Sequence, residues 1–154
     1  MKQRKLYLFL VVTTTFKVGF LIFKKQNHNN MNPKITMGIR ILFGVFCLVF
    51  GINKFAGFMP FPEIPGDGGT LMGIYATSGF MKIVGVIEIL GGLALILNKY
   101  VPLALTFLIA VMFNATIFHA LHDPANIAGA ILGLVLGLIL VYSFKDRFKS
   151  LLSA

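Results

Sequence analysis

The 154 residues are 57% hydrophobic and only 12% charged, with a mean hydropathy of +0.87, which excludes an ordinary soluble domain of this size and reads as a single-domain membrane protein. The formal charge of +9 invites a nucleic-acid surface, but Lys2, Arg4, Lys5, Lys17, Lys24 and Lys25 supply six of the positive charges before residue 31. From Met31 on, eight Lys or Arg stand against five Asp or Glu, with no basic stripe and interleaved aromatics outside the apolar runs, so the expected partner is the bilayer and not nucleic acid.

Residues 6 to 23, LYLFLVVTTTFKVGFLIF, follow a basic start and admit two readings, a signal peptide or an extra spanning helix. Lys17 interrupts the run, no small-residue cleavage site precedes QNHNN, and flanking basic residues on both sides give no orientation signal. We read Met31 as the natural start, residues 1–30 as an over-extended or dispensable segment, and residues 31–150 as the domain.

The first convincing span is Ile39 to Phe55, on which Arg40, Gly44, Cys47, Gly51 and Lys54 share one helical face. A stripe of polar and small residues faces protein rather than lipid. Cys47 is the single cysteine, so neither an intrachain disulfide nor a site of several thiolates exists. Gly57 to Ser78 reads as a loop, because FMPFPEIPGDGG holds three prolines and three glycines. Its Phe58, Met59 and Phe61 serve either as an interfacial anchor or as a cover over the mouth of a bundle.

The second span, Gly79 to Asn98, carries Glu88 near its middle. An ionisable group at that depth is costly unless it faces protein or water, which makes it a functional-site candidate. Gly85, Glu88, Gly91 and Gly92 project from one face, so Glu88 is expected to point into a bundle. Lys54 and Lys82 are its candidate counter-charges. The third span, Val101 to Leu121, carries Asn114, Thr116 and His119, with Asn114 and His119 on different faces and therefore not expected in one pocket. The fourth, Ala125 to Phe144, repeats Ala125, Gly129, Gly133 and Gly137 every fourth residue, a close-packing pattern and a candidate face for a homo-oligomer. His119, His122 and Asp123 have helical metal-pair spacing but no further ligands, so no metal is expected.

Short connections make neighbouring spans antiparallel. Lys34 and Arg40 precede the first span, Lys99 lies between the second and third, and Lys145, Arg147 and Lys149 follow the fourth. The expectation is an all-α integral membrane four-helix bundle with both termini in the cytoplasm.

In RILFGVFCLVFGINKFAGFMPFPEIP, VGVIEILGGLALILNKYVPLAL and NATIFHALHDP, residues 31 to 150 resemble the DoxX family of small four-helix membrane proteins. The resemblance implies a multi-pass protein of the bacterial inner membrane, related to the small membrane subunit of a thiosulfate:quinone oxidoreductase. The shared residues are Arg40, Asn53, Lys54, Glu88, Asn114 and His119. The family leads us to expect a further acidic residue in the fourth helix of some relatives, and its lack here counts against a scheme with two buried carboxylates. With no phosphate loop, nucleophile elbow or CxxC pair in the chain, a self-contained enzyme is not the first expectation. We read it as a membrane subunit or accessory of a quinone-linked redox system. Glu88, Lys54 and His119 are the candidate chemical groups, and Asn53, Asn114 and Arg40 the candidate binding groups. The alternative is a structural partner whose polar residues fix helix packing.

Overall fold

The computed structural model describes residues 31–60 and 63–152, and residues from Asn32 onward form one compact unit. The expectations for residues 1–30 and for Phe61 lie outside the described residues.

Helix α1 runs from Pro33 to Ala56, a turn and a half earlier than the hydrophobic run alone marks. Asn32 explains the earlier start: its side chain accepts from the Lys34 amide at 3.0 Å, and Pro33 occupies the first helical position, where a missing N–H does no harm. The helix stops at Gly57, whose left-handed φ of 61° returns its amide to the Asn53 carbonyl. At 24 residues α1 is about 36 Å long, enough to cross a bilayer.

The expected loop from Gly57 to Ser78 is corrected by a second helix, α2, Gly66–Thr77. All three prolines precede it, so none interrupts its hydrogen bonds, and the glycines that argued for a loop include positions of close packing. A Cβ on Gly68 would stand 2.7 Å from His122 Cβ and 2.9 Å from Ile64 Cγ2. Helix α3, Phe80–Ile96, follows after Gly79 at a left-handed φ of 80°, and α2 and α3 meet at 73°. A short turn leads to α4, Val101–His122, with Pro102 in its first turn. A 3-10 turn, Pro124–Asn126, precedes α5, Ile127–Ser143, and α6 is Lys145–Leu152.

Among the described residues α1, α4 and the segment Pro124–Ser143 are each long and apolar enough to cross a membrane, and the bent pair α2 and α3 makes a fourth candidate span. The protein is a multi-pass all-α membrane bundle. Helix α1 packs on α3 and α5, and α4 on α3 and α5, which closes a four-membered ring; α2 lies against α3 and α4.

Glycines set the tightest of these contacts. A Cβ on Gly44 would lie 2.9 Å from the Gly92 carbonyl oxygen and one on Gly92 2.7 Å from the Gly44 carbonyl oxygen; Gly51 and Gly85 repeat the relation at 3.0 Å each way. The two reciprocal pairs sit two turns apart on antiparallel helices, so the α1 and α3 backbones touch at both levels. Gly133 and Gly137 of α5 likewise pack inward, against Met112, Phe46 and Ile109, while nothing lies within 4 Å of a Cβ on Gly129. Of the expected homo-oligomer face, Gly133 and Gly137 are therefore occupied by the chain's own helices, and Gly129 is open.

Phe43, Cys47, Leu95, Val101, Leu105, Leu108 and Leu140 are fully buried in the half of the bundle nearest the α3–α4 turn. The other half, toward α2, is hollow. Solid packing at one end and a cavity at the other place the site.

Candidate functional site

The two glycine pairs bracket Glu88 on α3. With the backbones in contact at Gly51 and Gly85, the side chain one turn further along each helix reaches across. Lys54 Nζ stands 2.5 Å from Glu88 Oε2, with side-chain exposures of 9% and 4%, too low for a solvated surface pair. Lys54 also donates to the Phe50 carbonyl of its own helix at 3.4 Å. Lys82, the other candidate counter-charge, is exposed. A lysine held this way is no snorkelling chain but half of an ion pair within the apolar half of the bundle.

A second polar pair closes the last turn of α4. His119 Nδ1 lies 3.0 Å from Asp123 Oδ2, and the Asn126 amide donates to Asp123 Oδ1 at 2.8 Å. An ionised Asp123 can only accept, which assigns the proton of the His119–Asp123 bond to Nδ1 and leaves Nε2 as the ring's second site. His122 contacts the Phe118 ring, 5.4 Å between centroids, and its Cβ faces Gly68 of α2. Among the described residues no three His, Cys, Asp or Glu groups come together as a metal site.

Both pairs line one cavity of about 850 Å³, walled by α1, α3 and α4. Most of its surface is apolar, from Phe46, Phe50, Ile83, Val84, Ile87 and Phe107, and Leu71, Met72 and Tyr75 of α2 cover it. Of the residues read as an anchor or a cover, Met59 lines the cavity, while Phe58 is exposed and does not. Asn114 also lines the cavity, with its amide donating to the Ala110 carbonyl at 2.8 Å. The expectation that Asn114 and His119 belong to separate pockets is thereby corrected: the cavity is wide enough to reach around both flanks of α4.

A family model described as DoxX matches residues 35–121, more than half of the chain. The chain belongs to the DoxX family. Comparison with curated proteins and with solved structures gives no match. The matched stretch holds Arg40, Asn53, Lys54, Glu88, Asn114 and His119, whereas Asp123 and Asn126, which fix His119, lie beyond it.

Not all six of those residues meet in this DoxX chain. Arg40 sits at the packed end, 7% exposed, and its guanidinium donates to the carbonyls of Leu95 and Ile96, the latter at 3.1 Å. These are among the last carbonyls of α3, which have no partner within the helix, so Arg40 caps that helix and is remote from the cavity. Asn53 borders the cavity, but its amide nitrogen donates to the Met59 carbonyl at 3.1 Å and its oxygen accepts from the Met59 amide at 2.6 Å. That two-way bond folds the chain back after α1 and commits both ends of the side chain. Sequence reasoning weighed Asp123 only as a metal ligand and missed its bond to His119. The signal was the i, i+4 spacing of His119 and Asp123 where the helix stops before Pro124.

Proposed function

We propose that this DoxX protein is a membrane subunit or accessory of a quinone-linked redox system, and that its cavity receives a quinone headgroup beside Lys54, Glu88 and His119. The observation that carries the reading is the facing of two charged or titratable pairs into one mostly apolar cavity. The volume of about 850 Å³ suits a substituted ring with part of an isoprenoid tail. The apolar wall suits a ligand that lives in the bilayer, and the polar pairs supply donors and acceptors at the depth where lipid supplies none. Electrons are exchanged with a partner redox subunit, and this chain binds the ring and handles protons. The location proposed is the bacterial inner membrane, with both termini cytoplasmic, from the placement of the basic residues.

Purification in native lipid, followed by mass spectrometry of the lipids, quinones and proteins retained, tests this directly. Enrichment of quinone over bulk lipid, lost in Glu88→Gln, is expected. Quinone at the bulk-membrane ratio removes the reading. A second reading, a structural partner without chemistry, draws on the mutual neutralisation of Lys54 and Glu88, since a closed ion pair also serves helix packing.

A further inference from the structure

We propose that the cavity selects the reduced, hydroxyl-bearing form of its ring ligand over the oxidised form, and that Asp123 is the positioning residue that sets this preference; the inference rests on the quinone reading above. His119 Nδ1 faces Asp123 Oδ2 at 3.0 Å, and Asp123 Oδ1 accepts from Asn126, so Nδ1 is the donor to this carboxylate, which as an anion can only accept. In the neutral ring Nε2 is then a lone-pair acceptor, and His119 lines the cavity. A ligand at that pole must bring a hydrogen. A quinol hydroxyl does so, whereas a quinone carbonyl sets lone pair against lone pair and leaves two polar atoms unmatched in an apolar space.

The other pole agrees. Glu88 is an acceptor held against Lys54, and among the described residues Lys54 is the donor that reaches its carboxylate. Bonds to Glu88 and Phe50 use two of the three ammonium hydrogens, which leaves a third donor for a ligand in the cavity that Lys54 lines. A hydroxyl oxygen accepts from Lys54 and donates to the carboxylate at once. A carbonyl can only accept. A dihydroxy ring that reaches both poles satisfies each of them, whereas the corresponding dione satisfies only the Lys54 one.

The test uses the full chain in nanodiscs of phosphatidylethanolamine and phosphatidylglycerol, with decylubiquinone and its quinol as probes. Each form bound is extracted anaerobically and quantified by chromatography, and the midpoint potential of the bound couple is read by redox titration. The expected result is at least tenfold tighter binding of the quinol, which raises the midpoint of the bound two-electron couple by about 30 mV. In Asp123→Asn the carboxamide donates to Nδ1 and moves the ring proton to Nε2, so the preference is expected to fall to parity or to reverse, with total occupancy retained. His119→Phe, which removes both ring nitrogens, is expected to abolish the preference should the Asp123 variant prove unstable. Equal binding of the two forms by the unaltered protein, or preference for the quinone, overturns the inference and leaves the quinone reading standing. Binding of neither form overturns both.

Discussion

Lys54 and Glu88 meet at 2.5 Å across α1 and α3 because Gly51 and Gly85, one turn away, let the two backbones touch. The short helix–helix distance is set by glycines and the ion pair is its chemical consequence. A Cβ on Gly85 would lie 3.2 Å from Lys54 Cβ, so the same glycine that admits α1 also gives the lysine its room.

That relation predicts the behaviour of substitutions in the pair. Glu88→Gln leaves an ammonium buried without its counter-charge and is expected to lower stability by about 3 kcal/mol. Glu88→Gln with Lys54→Met, which removes both charges and keeps the volume, is expected to regain most of that loss. Thermal unfolding in detergent measures both. Quinone retention is expected to be lost in both variants. Restored retention in the double variant would assign the pair to packing alone.

The glycines themselves predict changes of opposite sign. Gly92→Ala drives a methyl against the Gly44 carbonyl oxygen at 2.7 Å and the Leu48 amide nitrogen at 3.2 Å, which backbone cannot yield without parting the helices. A loss of about 2 kcal/mol is expected. Gly38→Ala, where nothing lies within 4 Å, gains helix propensity without a clash and is expected to add about 0.5 to 1 kcal/mol. Melting temperatures of the two variants should move in opposite directions.

Much of this fold is legible in the chain itself. Four- and three-residue spacings place Gly85, Glu88, Gly91 and Gly92 on one face, and all four are buried there. Membrane helices obey this rule closely, because lipid cannot satisfy a polar group and a small-residue stripe only gains by meeting another helix. Helix α2 was not legible: four glycines in a 12-residue helix contradict local propensity, and the long-range contact of Gly68 with His122 overrides it. The roles of Arg40 and Asn53 were hidden for a related reason. Their partners are backbone atoms of Leu95, Ile96 and Met59, and a sequence does not display which carbonyls a helix end leaves open. Periodicity shows which residues share a face and leaves unstated how far the cavity wraps around α4.

Orientation is tested from outside the cell. With Cys47→Ala as background, Glu63→Cys in the connection before α2 is expected to react with an impermeant thiol reagent on intact cells, and Lys149→Cys in α6 only after lysis. Both positions are exposed, and Cys47 is fully buried. Labelling of position 149 but not 63 in intact cells inverts the proposed topology.

Arg40 offers the separation between fold and site. Its guanidinium supplies charged donors to two carbonyls at the end of α3, those of Leu95, which also accepts from the Asn98 amide at 3.1 Å, and of Ile96. Arg40→Met keeps the aliphatic stem and removes the donors, and a stability loss of about 2 kcal/mol is expected. Arg40→Lys is expected to recover only part of it, since a point ammonium lacks the planar fork that spans neighbouring acceptors. Because Arg40 lies at the packed end and outside the cavity lining, the folded fraction of either variant is expected to bind decylubiquinol as the unaltered protein does. Unchanged melting with lost binding would instead return Arg40 to the ligand site, where the family pattern first placed it.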